Sequence, residues 1–253
     1  MPTALFLSPH LDDAVFSCGG TMAQLADAGW RSVMATAFTA TVLPATGFAL
    51  ACQLDKGLGA EVDYMALRRD EDRGAAAILG VADLRWLDLP EAPHRGYQSA
   101  AALFDTLRDD DAVWRALADR IEALAEELQP DLVLAPQGLG NHVDHQQMIR
   151  AVRQAAPRHL AFYRDTPYAL RDTNAVSDHM VPGLHECAPG IAGGLERKIA
   201  ASCAYRSQIG FQFGGPDRLA AALRGFAAVE GQGRPAERFL ASSGALDLLS
   251  GSH

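Results

Sequence analysis

The chain has 253 residues, 49% of them hydrophobic, and a formal charge of −9, a length that suits one well-buried domain and argues against a second full one. The negative charge and the lack of any lysine or arginine run exclude the electrostatic footprint of a nucleic-acid or anionic-membrane binder. No apolar run approaches the roughly 20 residues of a membrane span and no basic, then apolar, secretory segment opens the chain, so a cytoplasmic location is the expectation.

Thr3 to Ser8 reads as a buried strand, Thr21 to Ala28 as a helix closed by Gly29, and Arg31 to Phe38 as a second strand. Thr39 to Asp63 is rich in Gly, Ala and Thr and is too long for an ordinary βα connection, so it is expected as an excursion near a site or a loop. Tyr64 to Leu79 resumes a helix that stops at Gly80, and Leu84 to Leu89 is a short strand ending at Pro90. Leu117, Ile121, Leu124 and Leu128 share one face of the clearest helix, which stops before Pro130. Asp131 to Ala135 is then a strand, Val143 to Ala155 a helix and His159 to Tyr163 a strand. Asp172 to Gly194 reads as loop, Leu195 to Ile209 as one helix, and the remainder as short and Gly-rich. This alternation predicts an α/β fold: a Rossmann-like, mostly parallel sheet with helices on both faces, in a single domain. Residues 1–165 would form its core, and 166–253 would complete the domain and the rim of its site. Cys18, Cys52, Cys187 and Cys203 lack the short spacings of a zinc knuckle or redox pair and are expected as free thiols.

Ligands of open parallel sheets bind outside the carboxyl ends of the strands. His10, Asp12 and Asp13 stand at the end of the first predicted strand, with Cys18-Gly19-Gly20 expected as a tight turn into a helix. Asn141-His142-Val143-Asp144-His145 follows the strand Asp131 to Ala135. With Asn141 as N-cap, His142 and His145 would lie one turn apart on one helix face. Taken alone, the first cluster is turn or capping chemistry and the second a surface pair. Together they offer the nitrogens and carboxylates of a catalytic zinc, which takes three protein ligands and leaves a position open. A spare carboxylate beside it suits the proton of an attacking water.

Pro9-His10-Leu11-Asp12-Asp13 resembles the Pro-His-x-Asp-Asp signature, and His142-Val143-Asp144-His145 the His-x-Asp-His signature, of the PIG-L or LmbE-like family of zinc-dependent N-acetylglucosaminyl deacetylases. Similarity extends from about Ala4 to Gln208 and includes RRDEDRGAAAILG, LRWLDLPEA and KIAASCAYRSQ. The resemblance implies that His10, Asp13 and His145 bind the metal and that Asp12 is the general base. It implies that His142 stabilises the oxyanion or acts as an acid, and that Asp144 orients a histidine. Zinc is the implied cofactor, and Fe2+ or another divalent ion also suits such ligands. The implied reaction removes the acetyl group from an N-acetylated amino sugar or glycoconjugate, a small-molecule partner. Ala14 stands where relatives often carry glutamate, and Leu139-Gly140 where some carry a tyrosine.

Arg68 matches an arginine that faces the sugar pocket in relatives, and a solvated helix charge is the alternative. His94 could contact substrate or be an ordinary loop histidine, while His159, His179 and His185 have no partner at ligand spacing and read as structural. Trp86 and Trp114 read as packing residues. An amidase acting on another N-acyl or thiol conjugate, and a sugar- or metal-binding relative without turnover, are the competing functions. A homo-oligomer is compatible with the sequence.

Overall fold

A computed structural model describes residues 1–180 and 182–251. Its elements in chain order are β1 (Thr3–Ser8), α1 (Asp13–Asp27), β2 (Arg31–Thr36), α2 (Gly47–Leu54), α3 (Tyr64–Leu79), β3 (Asp83–Trp86), α4 (Val113–Leu128), β4 (Leu132–Pro136) and α5 (Val143–Ala155). There follow β5 (Leu160–Tyr163), α6 (Tyr168–Arg171), β6 (His185–Cys187), α7 (Leu195–Ser202), α8 (Arg206–Phe213), α9 (Pro216–Glu230), β7 (Phe239–Ala241) and α10 (Ser243–Ser250). Short 3-10 turns occupy Ala92–Arg95 and Ala102–Phe104.

One sheet runs β3-β2-β1-β4-β5-β7-β6, parallel from β3 to β5 and antiparallel across β7. The expected single α/β domain with a mostly parallel sheet is therefore what forms. Side chains of β1 alternate between the two faces: Ala4 and Phe6 join one apolar cluster with Met22, Leu79 and Leu223, while Leu5 and Leu7 join another with Leu117, Ile121 and Met148. Burial on both faces explains why Ala4 to Leu7 is a continuous apolar run. The chain leaves β1 towards β3 on one side and returns to β4 on the other, so the strand order reverses between β1 and β4. A crevice opens at that switch point, and both motifs follow the strands that flank it.

Several expectations change. The helix expected from Thr21 begins at Asp13, and Cys18-Gly19-Gly20 is a kink within α1 rather than a turn before it, with Cys18 at φ −132°. Glycine serves close approach here: a Cβ on Gly20 would lie 2.7 Å from Ile191 Cδ1, and one on Gly194 2.3 Å from the Gly20 carbonyl oxygen. The Thr39–Asp63 segment contains α2. The helix expected over Leu195 to Ile209 divides into α7 and α8, and the loop-like C-terminal region holds β6, α9, β7 and α10, two of them strands of the same sheet.

Candidate active site

The carboxyl edge of the sheet supplies the site from every parallel strand. His10, Asp12 and Asp13 follow β1, Thr41 to Leu43 follow β2, Glu91 to Arg95 follow β3, His142 to His145 follow β4, and Asp165 to Tyr168 follow β5. Around them lies a cavity of about 300 Å³ whose lining includes His10, Asp12, Asp13, Arg68, His142 and Asp144.

Asp12 precedes the first turn of α1, yet its carboxylate makes no capping bond. The Ala14 N–H donates instead to Ser8 Oγ at 3.1 Å. The Asp12 carboxylate is thereby left for Gln212, whose Nε2 donates at 3.2 Å, and for Arg68, whose Nη2 lies 3.4 Å away. Burial pushes Asp12 up to about 7, with Arg68 opposing the shift and Asp13 adding to it. Asp13 turns the other way. Its Oδ2 accepts the His10 backbone N–H at 2.9 Å and lies 3.1 Å from His10 Nδ1 and 3.2 Å from His145 Nε2.

Asn141 is not the N-cap of α5. It takes φ 58° in the left-handed region, and His142 caps α5 by accepting the Asp144 N–H on its own Nδ1 at 3.2 Å. This bond leaves the neutral ring's proton on Nε2. Burial and the neighbouring His10 push His142 down to about 3, so the ring is a neutral donor rather than an imidazolium. His145, fully buried, is aimed by Asp165, whose Oδ1 lies 2.6 Å from Nδ1 while Oδ2 accepts the N–H groups of Gly138 and Leu139.

His10, Asp13 and His145 offer one ligand atom each within 4.8 Å of one another, and so do His10, His142 and Asp144. The first set fits a divalent cation better. His145 Nε2 is buried without a hydrogen-bond partner, because its 3.2 Å approach to Asp13 lacks hydrogen-bond geometry. Ring nitrogens at 3.1 and 3.2 Å from one carboxylate oxygen also approach the edge of a zinc tetrahedron, about 3.4 Å for bonds near 2.1 Å. Asp144, by contrast, is already engaged: Arg95 Nη2 donates to Oδ1 at 2.7 Å, and Oδ2 meets His10 Nε2 at 2.9 Å and the Ala92 N–H at 3.2 Å. Burial lowers His145, but Asp13 and Asp165 outweigh it and raise the ring to about 9, so the cluster draws positive charge.

Arg68 is not a solvated helix charge. It is buried, donates to Glu91 Oε1 at 2.8 Å and to the Leu11 carbonyl at 3.2 Å, and forms part of the cavity wall behind Asp12. His94 also lines the cavity, whereas His159, His179, His185, Trp86 and Trp114 do not. Four residues escaped sequence reasoning: Asp165, Arg95, Gln212 and Tyr168. Asp165 carried a usable signal, an acid just beyond a third strand end. Arg95 stood beside His94 in a predicted loop, and nothing local marks Gln212 or Tyr168. Ala14 is buried in the apolar cluster beneath the site. At Gly140 a Cβ would lie 2.5 Å from Tyr168 Cδ1, so the Tyr168 ring fills the space a side chain there would need.

A doubly wound sheet that gathers two imidazoles, a shared carboxylate and a second, separately held carboxylate at its switch point defines an α/β enzyme with a polar, buried reaction centre. The chain belongs to the PIG-L family, described as GlcNAc-PI de-N-acetylase, which matches residues 5–156. A 2'-N-acetylparomamine deacetylase of Streptomyces fradiae is 34% identical over 212 residues, spanning 81% of this chain and 72% of that one. Among solved structures, a deacetylase of teicoplanin biosynthesis is 27% identical and superposes with a TM-score of 0.84, covering 94% of this chain and 97% of its own. The A40926 pseudoaglycone deacetylase is also 27% identical, with a TM-score of 0.80 and coverage of 94% and 95%.

Proposed function

We propose that this chain is a metal-dependent N-deacetylase, a hydrolase that cleaves the acetamide of an N-acetylated amino sugar or N-acetylglucosaminyl conjugate into acetate and a free amine. The observation that carries the reading is the division of labour between adjacent carboxylates: Asp13 faces two imidazoles, while Asp12 stands beside them, buried and held by Gln212. His10, Asp13 and His145 would hold the ion, with zinc the best match to two nitrogens and one carboxylate and Fe2+ an alternative. When bound, it supplies a Lewis acid that polarises the acetyl carbonyl and acidifies water.

The chain's own residues do the rest. Asp12 takes the proton of the attacking water as the C–O bond forms and returns it to the amine nitrogen as the C–N bond breaks. His142 donates its Nε2 proton in a hydrogen bond to the developing oxyanion. Asp144, kept in place by Arg95, orients His10, and Asp165 orients His145. A cytoplasmic location remains our reading of the sequence; among the described residues, no helix is long and apolar enough to cross a membrane.

The test is acetate release by zinc-loaded protein from N-acetyl sugars, nucleotide sugars and N-acetylglucosaminyl conjugates. Release from at least one glycoside, abolished by a chelator and restored by zinc, is the expected result. Release only from non-sugar N-acyl or thiol conjugates would transfer the reading to an amidase.

A further inference from the structure

The mouth of the cavity is chemically unlike its floor. Val42, Leu43, Phe104 and Phe211 are large apolar residues exposed to solvent, and all four line the cavity. Leu43 is 57% and Phe211 66% exposed, far more than a packed core would leave. They come from three separate stretches, the β2–α2 connection, the turn Ala102–Phe104 and α8, which converge only in the folded chain.

The helix α2 adds an independent observation. Its sequence, GFALACQL, is almost wholly apolar, yet its one buried residue is the polar Gln53. Gln53 Nε2 donates to the carbonyls of Gly59 and Val62 at 2.6 and 3.1 Å, so hydrogen bonds anchor the helix where apolar packing ordinarily would. None of its side chains joins an apolar cluster of the described residues, while Phe48 and Ala49 face the cavity. Apolar helix residues normally pack on a core; this helix instead brings Phe48, Ala49 and Cys52 to the cavity and leaves Leu54 exposed.

We propose that the substrate carries an apolar group next to its acetamido sugar, and that the face made by Val42, Leu43, Phe48, Phe104 and Phe211 receives it. Exposed apolar side chains gathered around one cavity mark an interaction site, and the His/Asp floor of that same cavity selects the occupant. A molecule seated with its acetamide on the polar floor has its aglycone at the apolar mouth. The inference rests on the deacetylase reading and narrows it from amino sugars in general to apolar glycosides of them.

The test uses zinc-loaded full-length protein and a matched series of N-acetylglucosaminides, methyl, butyl, hexyl, octyl and phenyl, in both anomers and below any micellar concentration. Acetate release is expected to rise in kcat/KM by up to about fourfold for each methylene that reaches the rim, giving at least about a tenfold ratio of hexyl over methyl. The double substitution Leu43→Ser with Phe211→Ser, at exposed positions where folding is undisturbed, should lower that ratio at least about fivefold; an unchanged thermal transition checks the fold. Equal rates along the series, with acetate still released, overturn this proposal and leave the deacetylase reading standing. No acetate from any member overturns both. A double variant that loses a dimer in sedimentation while the ratio stays unchanged assigns the face to a second copy of the chain and also overturns the proposal.

Discussion

Asp12 and Asp13 are neighbours of one chemical type whose surroundings give them different work. Asp13 faces two ring nitrogens, whereas Asp12 faces an amide and a guanidinium, and burial together with the Asp13 charge keeps its proton affinity near neutrality. A group of that affinity suits proton transfer at neutral pH. Replacing Asp12 by Asn should preserve bound zinc, read by metal analysis, and lower kcat for acetate release by about 10² to 10⁴. Unchanged turnover would remove its role as base. Asp165 tests the neighbouring relation. The substitution Asp165→Asn takes the charge from His145 Nδ1, so zinc affinity in competition with a chromophoric chelator should fall by about 10- to 100-fold.

At the scale of elements, the segment between β3 and α4 is a polar brace without regular secondary structure beyond its short turns. Asp111 accepts from Arg95 Nη2 and from the Tyr97 hydroxyl, both at 3.0 Å, and from the Val113 N–H that opens α4. Arg95 in turn holds Asp144, so the brace connects a helix start to the bond that aims His10. Burial alone would raise the Asp111 carboxyl, but Arg95 outweighs it and holds the folded-state value below the usual carboxylate range. A depressed folded value stabilises above the unfolded value of about 3.9 and is lost as pH falls through the folded one. The stability difference between the chain and its Asp111→Asn variant, about 1 to 3 kcal/mol at pH 7, should therefore shrink below about pH 4 in urea titrations. A difference that is constant down to pH 3 would contradict the ionic part of this account.

Across the whole molecule, a buried ion pair ties the C-terminal half to the first helix. Lys198 Nζ donates to Glu237 Oε1 at 2.7 Å and to the Ser17 carbonyl at 3.0 Å, while Glu237 also accepts from the N–H groups of Gly20 and Thr21 and from the Thr21 hydroxyl. These contacts join α7 and the approach to β7 at the kink of α1, in the same helix that Asp13 opens. Removing one partner leaves a buried charge unmatched. Lys198→Met should cost about 3 to 5 kcal/mol in guanidinium denaturation, and a loss under 1 kcal/mol would show that the pair is not a structural tie.

What the sequence by itself determined is the parallel core and the strand ends at which both motifs stand. Those features are local: apolar runs of strand length, a leucine face on α4, and His and Asp placed just past β1 and β4. Even there, local reading misjudged Gly19 and Gly20, because a glycine required by a neighbour's approach looks the same as one required by a turn. Tertiary structure alone decided which distant groups complete the site. Gln212 reaches Asp12 across 200 positions, Asp165 reaches His145 from the next strand, and Tyr168 occupies the space beside Gly140. The apolar mouth likewise exists only where three segments converge. Spacing along a chain encodes periodicity within one element, but contact between elements depends on how their faces pack, and no short stretch of sequence carries that information.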